Sequence, residues 1–238
     1  MAGLMVGLFE GAKKNWKFVL VFVAASIVFW LIEFAFQLYA LNAPLERALI
    51  RSFSLAGTTL IALALLCSSL FRWFPKYAKY WTVRRSLGVM GALLVGLHGF
   101  SVINFVFKGN VSKLFQSLNP IENPILFGVL SLPILFVVAL ASTDWAVQKL
   151  GSKWKAVQRL VYFGFWLAVF HFLLINPSAL LNPFGYLLLA VTFLALASEL
   201  YWFIQTIYKK RSFTIGTAIG ILLILLYLLI AFFVWIAK

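Results

Sequence analysis

Residues 16–36 read WKFVLVFVAASIVFWLIEFAF, an apolar stretch of helical length preceded by Lys13 and Lys14. A secretory signal has a shorter apolar segment followed by small residues at a cleavage site, and neither feature is present. The stretch therefore reads as a first membrane-spanning helix. Similar runs recur at about 50–71, 86–107, 124–142, 157–176, 184–208 and 213–237. Each is close to the roughly 20 residues a helix needs to cross a hydrocarbon core about 30 Å thick. The runs are continuously apolar rather than alternating, which favours helices over a barrel. The expected fold is an all-α integral membrane bundle of about seven transmembrane helices. A short cytoplasmic segment, 1–15, precedes a single membrane domain, 16–238.

Composition supports this reading. Of 238 residues, 64% are hydrophobic and 11% charged, and the mean hydropathy is +1.02, so too few charges exist to cover a soluble surface. The formal charge of +14 does not indicate nucleic acid, because the cations sit in short loops between apolar runs. Fifteen of the twenty Lys and Arg fall on one side of the alternating spans and five on the other. Cytoplasmic loops carry the excess, which places the N-terminus inside and the protein in the cell inner (plasma) membrane, multi-pass and surrounded by lipid. Cys67 is the single cysteine, so no intrachain disulfide exists, and within an apolar run it reads as a small hydrophobe.

The chain has two histidines, each inside a span. His98 follows Arg85 by 13 residues and His171 follows Arg159 by 12. At 1.5 Å per residue both imidazoles lie roughly 18–20 Å beyond an inner basic anchor, at one depth, past the midplane toward the outside. Gly91 precedes His98 by seven residues and Gly164 precedes His171 by seven. Seven residues return to within about 20° of the same helix face. Each glycine thus reads either as clearance for a flat group below the imidazole or as a helix-packing residue. Two imidazoles facing each other in an apolar bundle suit a low-spin b-type haem, with His98 and His171 as the axial ligands of its iron. Zinc or copper would need further ligands that the neighbouring sequence lacks.

The segments Arg84-Arg85-Ser86-Leu87-Gly88 through His98, Ser142-Thr143-Asp144 through Lys155, and Gln158-Arg159-Leu160-Val161-Tyr162 through His171 resemble the ferric reductase-like transmembrane domain superfamily. Within it they look most like the haem-binding membrane subunits of bacterial methionine-sulfoxide reductase systems. The resemblance covers about 50–176. It implies a bundle whose third and fifth spans ligate haem and carry electrons across the membrane as a subunit of an oxidoreductase. Relatives with two haems carry a further histidine on the cytoplasmic side of each ligand, where this chain has Arg84 or Arg85 and Gln158. One haem b per chain is therefore expected. Nothing in the sequence corresponds to the family's flavin and nicotinamide domain. The resemblance then implies a separate electron donor, a membrane quinol or a flavin reductase, and an external acceptor such as an exported oxidoreductase.

Several polar residues carry two readings. Arg84, Arg85 and Gln158 either hold a flavin phosphate or quinone head near the inner face, or anchor orientation. Arg47 and Arg51 either pair with haem propionates or snorkel to the interface. Glu199, a carboxylate inside an apolar span, either handles protons or is buried as the neutral acid. Ser101 and Asn104 either orient His98 or join helices. Erosion of the second ligand pair also leaves open a non-redox bundle, a transporter or assembly factor.

Overall fold

The computed structural model describes residues 16–120 and 122–210, and the anticipated span at 213–237 lies outside them. Among the described residues every regular element is helical. The main helices are α1 (Trp16–Ala35), α2 (Leu45–Trp73), α3 (Trp81–Ser101), α4 (Ile125–Ala141), α5 (Asp144–Leu150), α6 (Trp154–Ile175) and α7 (Pro183–Lys210). Among the described residues, five helical segments are long and apolar enough to cross a membrane: Trp16–Ala40, Leu45–Trp73, Pro75–Val106, Asp144–Ile175 and Pro183–Trp202. The protein is thus multi-pass. The apolar α4 is shorter, at 17 residues, and carries Pro133 in its interior.

Local chemistry sets the boundaries. Pro44 precedes α2 and supplies an extended approach at φ −54°, ψ 146°. At the start of α5 the Thr143 side chain accepts from the Ala146 amide, capping an orphan N–H. α1 and α3 each end in a wider π-type turn, Phe36–Ala40 and Val102–Val106. Pro183 opens α7, where a missing N–H costs nothing.

α2 is the centre of the bundle. Leu55, Ala56, Leu60, Ile61 and Ala62 along it are all at most 2% exposed. One side of α2 packs along α3 and another along α7, while α4 lies along α6. Lipid solvates apolar side chains as well as protein does, so close backbone approach rather than the hydrophobic effect selects these pairs. At the α2–α3 crossing a Cβ on Gly91 would lie 2.7 Å from the Gly57 carbonyl oxygen, and one on Gly57 would lie 2.9 Å from the Gly91 carbonyl. At the α4–α6 crossing a Cβ on Gly164 would lie 2.9 Å from the Ile134 side chain and 3.1 Å from Leu135. There the Ser131 hydroxyl donates to the Gly164 carbonyl at 2.7 Å.

This contact predicts a position-specific cost. Gly91→Val must wedge α2 from α3, and overpacking of this kind costs about 1–3 kcal/mol. Gly88→Ala on the same helix would meet only the Ala64 Cβ at 3.7 Å, an ordinary contact. Thermal unfolding in detergent should separate them, with the first variant destabilised and the second close to wild type.

Candidate functional site

His98 on α3 and His171 on α6 come together, with ring centroids 6.3 Å apart and ring planes at 67°. Nδ1 of His98 lies 2.9 Å from the Ile50 carbonyl of α2, and Nδ1 of His171 lies 3.1 Å from the Pro124 carbonyl at the head of α4. A carbonyl oxygen only accepts, so each Nδ1 bears the hydrogen and donates it. In the neutral imidazole that assignment leaves Nε2 as the bare nitrogen, free to bind a metal. A hydrogen bond from the second ring nitrogen to a backbone carbonyl is the usual way a metal-binding histidine is oriented.

The glycines seven residues before each histidine explain how those carbonyls arrive. α2 runs antiparallel to α3, and α4 antiparallel to α6. Ile50 faces His98 while Gly57, seven residues further, faces Gly91. Pro124 faces His171 while Ser131, seven residues further, bonds to Gly164. Two turns below each imidazole, a side-chain-free patch lets the partner helix approach until its carbonyl reaches Nδ1. Gly91 and Gly164 line neither cavity beside the histidines. Their contacts are the neighbouring helices.

Two cavities border the imidazole pair. One, of about 290 Å³, is lined by both histidines with Thr58, Gly128, Leu132, Ala168 and other largely apolar residues. The second, of about 210 Å³, is lined by both histidines with Arg47, Arg51, Ser54 and Asn176. Arg47 and Arg51 sit one turn apart on α2 and so bring two cations to the mouth of the site. Neither forms an ion pair among the described residues. Of the polar residues near His98, the Asn104 amide donates to its own helix at Phe100 O, while the ring nitrogens bond the carbonyls of Ile50 and Pro124.

Arg84, Arg85 and Gln158 also converge, lining a smaller cavity of about 70 Å³ with Trp81, Trp154 and Ser142 toward the ends of the helices away from the histidines. Arg85 pairs with Asp144 of α5, and the Gln158 amide donates to Val138 O at 3.2 Å and to Ser142 Oγ at 3.1 Å. Glu199 differs from the isolated carboxyl expected inside a span. It pairs with Arg72 of α2 and accepts from Ser69 and from Tyr162 of α6, each at 2.9 Å. Its partners come from two distant stretches of sequence, so local reading could not supply them. Sequence reading also passed over Glu33 at the end of α1 and Gln37 in the turn that follows, both fully buried, with side-chain polar atoms that have no hydrogen-bond partner among the described residues.

Against known proteins, residues 53–169 match the family described as ferric reductase like transmembrane component. The chain is 32% identical over 105 residues to the haem-binding subunit of protein-methionine-sulfoxide reductase from Agrobacterium fabrum, covering 44% of this chain and 48% of that protein. It is 30% identical over 105 residues to the subunit of the same name from Brucella ovis, covering 43% and 46%. The chain thus spans about half the length of the curated relatives it matches. No solved structure gives a significant match.

The Glu199 cluster carries its own prediction. Removing one partner of this partly buried pair strands the other charge, at a cost of roughly 1–3 kcal/mol. Glu199→Ala should therefore lower the detergent unfolding temperature more than the double replacement Arg72→Leu with Glu199→Leu, which removes both charges.

Proposed function

We propose that this chain, which carries a ferric reductase like transmembrane component over residues 53–169, is the b-type cytochrome subunit of a membrane oxidoreductase. It would pass electrons across the membrane through one haem held by His98 and His171. The observation that carries this reading is the confrontation of the two rings at 6.3 Å. An imidazole nitrogen sits about 2.0–2.1 Å from a bound metal, so two rings sharing one metal have centres on the order of 6 Å apart. The residues present fit the group in three further ways. Both Nε2 atoms are left bare by the Nδ1 bonds to Ile50 and Pro124. The two cavities beside the pair, about 290 and 210 Å³, are mainly apolar. Arg47 and Arg51 line the smaller cavity, where guanidinium groups would pair with propionate carboxylates.

Haem iron supplies a one-electron carrier, and everything else is the work of the chain. The α2 and α4 carbonyls fix the tautomer and raise the basicity of each ligand. The apolar walls exclude water and so bear on the potential. The excess of cations on the inner side supports an N-terminus in the cytoplasm of a cell with this inner membrane, with the histidines in the outer half. Electrons would enter near the cytoplasmic face from a quinol or a flavin reductase. The convergence of Arg84, Arg85 and Gln158 on one inner cavity makes that region the candidate place for a quinone or flavin. They would leave toward an external acceptor. The names of the two relatives suggest an exported methionine-sulfoxide reductase for that role. One haem rather than two is supported by the inner side, where arginine and glutamine side chains stand around a cavity of only about 70 Å³.

The purified protein should be red, with a Soret band that shifts and sharpens on dithionite reduction. His98→Ala and His171→Ala should each abolish that spectrum while membrane insertion persists. A normal bis-imidazole spectrum in both variants would refute the assignment. A haem-to-protein ratio near two rather than one would refute the count.

A further inference from the structure

The two ring planes are 67° apart, and the contacts that hold them so come from opposite directions. His171 is gripped by a single face of α4. Pro124 O bonds its Nδ1, and one turn along the helix Gly128 lies against the ring. A Cβ on Gly128 would be 3.0 Å from Nδ1 and 3.1 Å from both Cε1 and Cγ. Near-equal distances to three ring atoms mean that the backbone of α4 lies over the face of the imidazole rather than at its edge. Rotation of His171 about its Cβ–Cγ bond would break the Pro124 bond and drive the ring edge into Gly128. α4 is in turn tied to α6 one helical stretch below, by Ser131 and Gly164. His98 is aligned independently, by Ile50 of α2 and the Gly57–Gly91 contact.

We propose that Gly128 is a positioning residue that, with the carbonyls of Pro124 and Ile50, locks the two imidazoles crosswise, so that the metal they share has crossed rather than parallel axial ligands. The inference rests on the haem reading of the site, and its consequence is electronic. In an oxidised low-spin haem, ligand planes that cross leave the two iron orbitals available to the unpaired electron nearly equal in energy. Parallel planes split them. Crossed ligands give an EPR spectrum with one strongly shifted low-field feature, and parallel ligands give three resolved features.

The test is EPR of the oxidised full-length protein, alongside its absorption spectrum and haem content. The expected wild-type result is a low-spin absorption spectrum with the single low-field feature. Three resolved features with a normal bis-imidazole absorption spectrum would overturn the crosswise hold while leaving the ligand assignment intact. Absence of low-spin haem altogether would defeat the assignment itself. Gly128→Ala places a methyl against the ring face and should shift the low-field feature of the haem the variant holds. An unmoved feature in that variant would remove Gly128 from the alignment. The wild-type spectrum decides the crosswise arrangement without any variant.

Discussion

The site depends on how closely two pairs of antiparallel helices approach. A bilayer offers no hydrophobic drive for helices to meet, so contact requires surfaces that fit. Gly57 against Gly91 and Ser131 against Gly164 provide those surfaces, at matching positions in the two pairs. Each contact fixes a crossing two turns from a histidine, and a rigid helix carries that constraint along its length. The carbonyls of Ile50 and Pro124 consequently arrive within hydrogen-bond reach of Nδ1. Two similar half-sites result, facing each other across the bundle. A side chain at either contact would move a whole helix and withdraw the carbonyl from its imidazole.

Charge is divided along the bundle. At the end away from the histidines, Arg72 meets Glu199 and Arg85 meets Asp144, so α2 is tied to α7 and α3 to α5 by ion pairs. Tyr162 brings α6 into the first of these clusters. Toward the histidines the balance differs: Arg47 and Arg51 line the cavity without a carboxylate of their own among the described residues. A helix-bound cation beside an apolar cavity is costly unless something anionic completes it. Two ion pairs thus stand at one end of the helices, and two arginines without an ion pair among the described residues stand beside the histidines at the other.

Much of the frame was legible in the sequence, because apolar runs of spanning length report directly on membrane helices. The spans anticipated at 50–71, 86–107 and 157–176 correspond to α2, α3 with its following turn, and α6, with ends displaced by a few residues. The common depth of His98 and His171 followed from counting residues beyond Arg85 and Arg159. Their hydrogen-bond partners could not be found that way, since a backbone carbonyl has no side-chain signature. The Gly91–His98 and Gly164–His171 spacing was visible, but the sequence left two readings of it. Periodicity says which face a residue shares and leaves open whether a helix or a ligand occupies it. Gly128 escaped notice because its role depends on a ring delivered from another helix. The role of Glu199 stayed open for a similar reason, its partners lying 127 residues away at Arg72 and 37 away at Tyr162.

Nitrogen ENDOR on oxidised protein carrying ¹⁵N-labelled histidine reads the central claim most directly, because the label reports only on the imidazoles. With two histidines in the whole chain, the account requires strongly coupled nitrogen from both, one to each side of a single low-spin iron. Coupling to one imidazole alone, or to neither, would contradict it.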